Sequence, residues 1–512
     1  MTLPENRQSK VCNNGPTTCL YVMVLCLVPL VTIAFVTKFQ MPNPDIFIIY
    51  IDTQDEPLHT LDSKFLSLGL DSTIITDGFP NFNMTNEKLV KMIGYLAPAY
   101  LRIGGNQADQ IVFSLDKTTG VNSGQIGNIS DAYILKASDW LKLNTLAKEA
   151  NIEIIYDLNS LLRNNDSTWN SENAKEMIKF SHKNKLQVNW ELGNEPNSYP
   201  HKFNMSVNAT QLGLDYHMLR ELLDSNSYNN SLLIGPSTTR LRDENIANYL
   251  LQFLISGSEA INALTFHHYY FSGQNATWEE FLNPANFDYL EYCIDAVKSV
   301  IALVPNFDKP IWLGETSSAW HGGAPNMSDR FIGTFLWIDK LGLSAKMGID
   351  LVIRQSVFKG NYALIDDSYH PNPDWWLSIL YKKLVGSKVI TTETEGDAKI
   401  RLYAHCAKDN SLWRNTSAVV VFGVNLDSSI GLVQVKELRS EKQIFVYELT
   451  SENTLISQSV RLNDQILKLG KGAELPELEP RVIERETNME ISPYSIVFWI
   501  FTNTNVEACS SQ

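Results

Sequence analysis

From residue 68 onward the chain alternates short, β-rich apolar runs with longer stretches whose apolar residues recur at helical spacing. The runs LGLDSTI (68–74), AYLRIGG (99–105), IEIIYDL (152–158), LQVNWEL (186–192), SLLIGPS (231–237), INALTFHHY (261–269), PIWLGET (310–316) and DLVIRQS (350–356) read as strands. Between them, SDWLKLNTLAKEA (138–150) and DYLEYCIDAVKSVIALV (288–304) read as helices. Eight strands, each followed by a helix or a long loop, is the count of a (β/α)8 TIM barrel in the α/β class. A doubly wound sheet would want a Gly-rich phosphate loop after its first strand, and none is present.

Beyond about residue 388 the texture changes. KIRLYAHCA, SAVVVFGVNL, KQIFVYELT, LISQSVRL and YSIVFWIFT are alternating or continuous β runs with turn residues between them, the pattern of a β-sandwich. IFIIYID (46–52) is one more strand, placed to complete that sandwich from the other end of the chain. The expected division is a targeting segment at 1–40, an N-terminal strand joining the sandwich at 41–60, a catalytic barrel at 61–387 and the β-sandwich at 388–512.

Residues 19–36 carry no charge and are long enough to span a membrane marginally. Arg7 and Lys10 precede them, Glu5 offsets these in part, and Lys38 follows. A type II signal anchor and a cleaved signal peptide both fit, and either sends the chain into the secretory pathway, to the cell exterior or the lysosome. Glycosylation acceptors at Asn83, Asn128, Asn165, Asn204, Asn208, Asn229, Asn275, Asn326 and Asn415 agree with that route. Cys12, Cys19 and Cys26 belong to the targeting segment, leaving Cys293, Cys406 and Cys509 for one disulfide and one free thiol. With no CxxC pair or Cys/His cluster, no metal is expected, and no cofactor motif stands out. The 512-residue chain has 44% hydrophobic and 19% charged residues, a globular composition. Its net charge of −15 argues against nucleic acid as a partner.

In a barrel, chemistry belongs at the C-terminal ends of the strands. The fourth strand runs into WELGNEPN, which puts Glu195 just past its end, and the seventh ends in WLGETSS with Glu315 at the rim. Lying three strands apart around a closed barrel, the two can face each other across its mouth. Such a pair is what glycosidic bond cleavage needs: an acid for the leaving oxygen and a carboxylate for the oxocarbenium-like centre. His267 and Tyr269 alternate on strand six and share one face, within reach of a nucleophile or a sugar, while His268 and Tyr270 share the other. Asp71, Arg102 and Gln355 are further inward candidates.

The blocks QVNWELGNEPNSY, FHHYYFSGQNATWEEFLNP, WLGETSSAWHGGAPNMSDRF, KLGLSAKMGIDLVIRQ and NPDWWLSILYKKLVG resemble the heparanase family of endo-β-glucuronidases, and the likeness runs from about residue 46 to Cys509. The resemblance implies a barrel plus sandwich and retaining hydrolysis of internal glucuronide bonds in heparan sulfate, with Glu195 as acid/base and Glu315 as nucleophile. It implies Asn194 at a sugar hydroxyl, Asp71, Tyr269, Gln355, Gly360 and Tyr362 in the glucuronate pocket, and a Cys406–Cys509 disulfide.

This chain departs from the family pattern in several places. About 45 residues join strands two and three where the family's precursor carries a long excised linker, which implies a single-chain enzyme. Where mammalian members line the cleft with basic residues, Arg240 and Arg242 are followed by two acids, Gln274 stands for a common Arg, and His201 stands for a Lys beside Lys202. His321 occupies a WHGG loop position usually filled by Gly. Fewer cations weaken contacts to sulfate. The leech-type hyaluronidase branch, which cuts unsulfated hyaluronan, is therefore a second reading, and a non-catalytic heparan-sulfate-binding relative is a third. A close carboxylate pair and an anionic uronate are expected to raise the pKa of Glu195 and give an acidic optimum.

Overall fold

The computed structural model describes residues 46–115 and 132–510. Eight parallel strands close into a barrel in chain order: Leu66–Asp71, Tyr100–Gly104, Glu153–Leu158, Val188–Leu192, Leu233–Thr238, Ala263–His268, Ile311–Thr316 and Leu351–Arg354. The last pairs with the first through Val352 and Leu66. These strands are buried almost throughout, because helices cover the outer face and side chains fill the inner one. That is why they read as near-continuous apolar runs rather than alternating ones. The first run is shorter than expected. Asp71 Oδ1 accepts from the Thr73 backbone N–H at 2.9 Å, and Thr73–Thr76 forms a helical turn, so the strand stops at its carboxylate.

The second domain packs two sheets face to face. One has nine strands, among them Val385–Val389, Ile400–Ala407, Val419–Asn425, Gln443–Ser451 and Ser495–Phe501. The other has four: Thr392–Glu395, Ile46–Ile51, Gly431–Lys436 and Met489–Ile491. The N-terminal strand does join the sandwich, antiparallel to Thr392–Glu395 and parallel to Gly431–Lys436. Its period-2 pattern sends Phe47, Ile49 and Ile51 inward against Val419, Val421, Val497 and Trp499. Several features differ from the reading of the sequence. GLVQVK, too short and too polar to stand out, is a strand, and of LISQSVRL only Val460–Leu462 is one. The opposite face of the large sheet lies on the barrel. There Tyr403 packs on Gly342 of helix Gly333–Lys346, and both its hydroxyl and Arg401 donate to Asp339 at 2.6 Å.

Cys406 and Cys509 are disulfide-bonded across 103 residues, and Cys293 is free and buried. The apolar segment 19–36, its cysteines and the acceptor Asn128 lie outside the described residues. Among the described residues no helix is long and apolar enough to cross a membrane. The other eight acceptor asparagines are all exposed.

Candidate active site

A cleft of about 940 Å³ opens at the C-terminal ends of the barrel strands. Asp71, Glu195, His267, Tyr269, Glu315, Gly360 and Tyr362 all line it. Asn194 and Gln355 sit directly behind this lining, each 1% exposed.

Glu195 is delivered by a tight turn after strand four. Gly193 has φ +84°, and a Cβ there would lie 2.5 Å from both Ser160 Oγ and the Tyr199 hydroxyl oxygen, so only glycine fits. Asp109 fastens the turn from below. Its Oδ2 accepts from the Asn194 backbone N–H at 2.9 Å and the Tyr199 hydroxyl at 2.7 Å, and its Oδ1 accepts from the Ser160 backbone N–H at 2.9 Å. Glu195 itself takes a left-handed φ of +52°, a conformation a non-glycine residue holds only when its surroundings fix it. Its backbone N–H donates to Ser237 O at 3.0 Å, and Pro196 then starts a short helical turn. That turn leads into Tyr199–Lys202, which folds Lys202 back onto Glu195 Oε2. The other oxygen, Oε1, lies 3.1 Å from His267 Nδ1.

Glu315 stands on strand seven, where the register against strand six shifts so that Gly314 is passed over and His267 pairs with Glu315. Arg102 Nη1 donates to its Oε2 at 2.8 Å and the Tyr269 hydroxyl to its Oε1 at 2.8 Å. Both oxygens thus accept, the arrangement of an ionised carboxylate. Arg102 also reaches Glu191 Oε2 at 2.6 Å, Asn194 Oδ1 at 3.0 Å and Asp157 at 3.5 Å. Burial opposes its charge, but Glu191, Glu315 and Asp157 together hold the guanidinium protonated more firmly than usual. Asn194 is therefore engaged by Arg102 and by Asn106 rather than standing free in the cleft.

Opposite lies a second polar group. Burial, with Glu315 nearby, pushes the Asp71 carboxyl up, and Gln355 Nε2 donates to Asp71 Oδ2 at 2.7 Å. Tyr362 stacks on Tyr269 with ring centroids 6.5 Å apart. Burial and adjacent acids push both phenols well above the usual range, so they remain hydroxyl donors. Gly360 has φ +83°, and a Cβ would meet the Tyr362 ring at 2.9 Å.

One expectation fails. The pKa of Glu195 is lowered, not raised: burial pushes it up, but the Lys202 charge and the His267 contact outweigh burial and hold it below the ordinary carboxylate range. Sequence reasoning also passed over Asp109, Asp157 and Glu191. Glu191 and Asp157 carried a signal, each an acid placed inside an apolar strand, and Asp109 carried none. His321 lines the cleft with φ +63°, a conformation glycine takes freely, and its Nδ1 lies 3.2 Å from Ser272 Oγ. No group of metal-ligating side chains occurs among the described residues.

Residues 73–342 match the N-terminal domain of glycosyl hydrolase family 79. The chain is 35% identical to heparanase of Bos taurus, with 89% of this chain and 91% of the bovine protein covered. It is 31% identical to hyaluronoglucuronidase of Hirudo nipponia, covering 83% and 91%. Among solved structures, a 4-O-α-L-rhamnosyl-β-D-glucuronidase from Fusarium oxysporum superposes with a TM-score of 0.64 at 14% identity, over 88% of this chain and 99% of that one, a likeness of fold. With its barrel, its paired glutamates and relatives of this extent, the chain belongs to glycosyl hydrolase family 79.

Proposed function

We propose that this chain is a retaining endo-β-glucuronidase that hydrolyses internal glucuronide bonds of heparan sulfate glycosaminoglycan. The supporting observation is the pair of glutamates at the ends of strands four and seven, opening on one cleft and held by different donors. Glu315, accepting from Arg102 and Tyr269, is positioned as the nucleophile at the anomeric carbon. Glu195 serves as the acid for the leaving oxygen and then as the base for water. Asp71, Tyr269, Gln355, Gly360 and Tyr362 form the pocket for the glucuronate, with His267 orienting Glu195 and Asn194 steadying Arg102. No cofactor or metal takes part in this scheme.

Hyaluronan is the second reading, and the charges of the cleft favour it. Lys359 is on Asp77, Arg242 near Asp243, and Arg240 Nη1 on the carbonyls of Tyr269 and Tyr270 at 2.7 and 3.0 Å. Cations already engaged are poorly placed to hold many sulfates. A catalytically inactive binding protein would not need both carboxylates oriented in this way. The apolar segment 19–36 would serve delivery to the cell exterior or lysosome, as an anchor or as a cleaved signal. The reading is tested by digesting heparan sulfate and hyaluronan with the wild type and Glu315→Gln. Fragments ending in reducing glucuronate from the wild type alone are expected. Equal cutting by both proteins would remove Glu315 from its role.

A further inference from the structure

Both oxygens of Glu195 are in contact with protein nitrogens: Oε1 lies 3.1 Å from His267 Nδ1, and Oε2 accepts from the Lys202 ammonium. While the ammonium holds Oε2, that oxygen accepts from Lys202 and is not free to present a proton to a leaving oxygen. The two contacts differ in one respect. The His267 side chain is 1% exposed and fixed at a strand end, whereas the Lys202 side chain is 21% exposed and stands on the cleft wall. Lys202 is the mobile partner, because its four-carbon stem lets the ammonium swing without moving the backbone. The same ammonium also donates to Asn106 Oδ1.

The other charged groups around Glu195 have partners other than Glu195. Tyr269 and Arg102 are committed to Glu315, Asp71 to Thr73 and Gln355, and Arg240 to backbone carbonyls. Arg242 pairs with Asp243, and Lys359 pairs with Asp77. His201, next to Lys202, is exposed.

We propose that Lys202 is a charge-gated latch: it holds Glu195 as a carboxylate in the free enzyme and moves onto an anionic group on the leaving-group side of the bound saccharide, releasing Glu195 to be protonated. The exchange is balanced. One ion pair breaks, one forms between the ammonium and the substrate anion, and one proton enters from solvent onto Glu195. That proton then goes to the glycosidic oxygen as the C–O bond breaks. Lys202 thereby acts as a positioning and specificity residue: a neutral leaving group leaves the latch shut, and an anionic one opens it. The inference rests on the acid/base role proposed above for Glu195.

The test is proton uptake on binding. Glu315→Gln protein is titrated at pH 5.5 with sulfated heparan sulfate oligosaccharides, unsulfated heparosan oligosaccharides and hyaluronan oligosaccharides, in buffers of different ionisation enthalpy. Uptake approaching one proton per site is expected with an anion that opens the latch, and clearly less when Lys202→Met is added. Uptake with the sulfated chains alone identifies the anion as sulfate, and uptake with all three identifies it as carboxylate. In the otherwise wild-type enzyme, Lys202→Met should move the alkaline limb of kcat/KM upward by about one pH unit, and Lys202→Arg should restore it. Binding with the same proton uptake in Lys202→Met, or an unmoved limb, overturns the latch and leaves the glucuronidase reading standing. Failure of every oligosaccharide to bind overturns both.

Discussion

His267 and Tyr269, two residues apart at the end of the sixth barrel strand, hold the two different carboxylates: His267 Nδ1 lies 3.1 Å from Glu195 Oε1, and the Tyr269 hydroxyl donates to Glu315 Oε1 at 2.8 Å. Residues at i and i+2 of a strand share a face and lie roughly 7 Å apart. One strand end therefore spaces both glutamates. The register shift beside Gly314 brings Glu315 opposite His267 rather than one position away, as irregularities near active sites commonly re-aim a side chain.

Tyr269→Phe removes one donor from Glu315 and keeps the ring stacked on Tyr362. The expected result is a fall in kcat of roughly 10²-fold with little change in KM, the scale seen when one oriented donor is lost from a reacting oxygen. Steady-state kinetics on a defined glucuronide check it, and an unchanged kcat would detach Tyr269 from the chemistry.

Glu195→Gln separates the two glutamate roles. Turnover of natural saccharides should drop by about 10³-fold or more, while an aryl glucuronide whose phenolate leaves unaided keeps most of its bond-cleavage rate. Equal losses on both substrates would contradict the assignment of Glu195 as the acid.

Gly193→Ala tests the turn that delivers Glu195. A Cβ would lie 2.5 Å from Ser160 Oγ and the Tyr199 hydroxyl oxygen at a φ of +84°, so the turn must shift. A destabilisation of about 1–3 kcal/mol is expected, with activity falling by more than stability alone explains. Thermal unfolding and kcat measured on the same preparation decide it.

His405 gives the sandwich a pH dependence. Its ring is fully buried, Nδ1 lies 3.0 Å from Gly386 O, and burial pushes its pKa down from 6.5 to about 4. Below pH 6.5 the unfolded chain binds a proton that the folded one refuses. Stability from this group is thus complete above that value and is lost as pH falls toward 4, by about 3 kcal/mol in all. His405→Gln should flatten the Tm profile between those values, and an unchanged slope would assign the acid sensitivity elsewhere.

Removing the Cys406–Cys509 bridge frees a loop of 103 residues. Cys509→Ser should cost about 3–5 kcal/mol, read as a lower denaturant midpoint. Cys293, buried and with its thiol pushed up to about 11, should stay unalkylated until the protein unfolds.

The barrel was legible because its strands are buried on both faces and end in residues that do not belong in a core. WELGNEP and WLGET mark both the strand and the carboxylate that reaches the cleft at its end. The short strand Gly431–Lys436 was not legible, since it alternates buried and half-buried positions over only six residues and gains its meaning from pairing with a strand nearly 400 positions earlier. The charge state of Glu195 was hidden for a related reason. Two glutamates across a cleft predict a raised pKa, but the helical turns after Pro196 bring the Lys202 ammonium onto one of them. Spacing shows which residues share an element, not which way a long side chain turns. Asp157 and Glu191 escaped notice because their partner, Arg102, comes from another strand.

The most direct measurement is a digest of matched heparan sulfate and hyaluronan at pH 5, with products sized and their reducing ends identified, using wild-type protein and Glu315→Gln side by side. The account predicts internal cuts that leave reducing-end glucuronate in at least one polymer, and none from Glu315→Gln. Heparan sulfate fragments would favour the first reading, and hyaluronan fragments alone the second. Intact polymers from both proteins, or equal cutting by the variant, would contradict it.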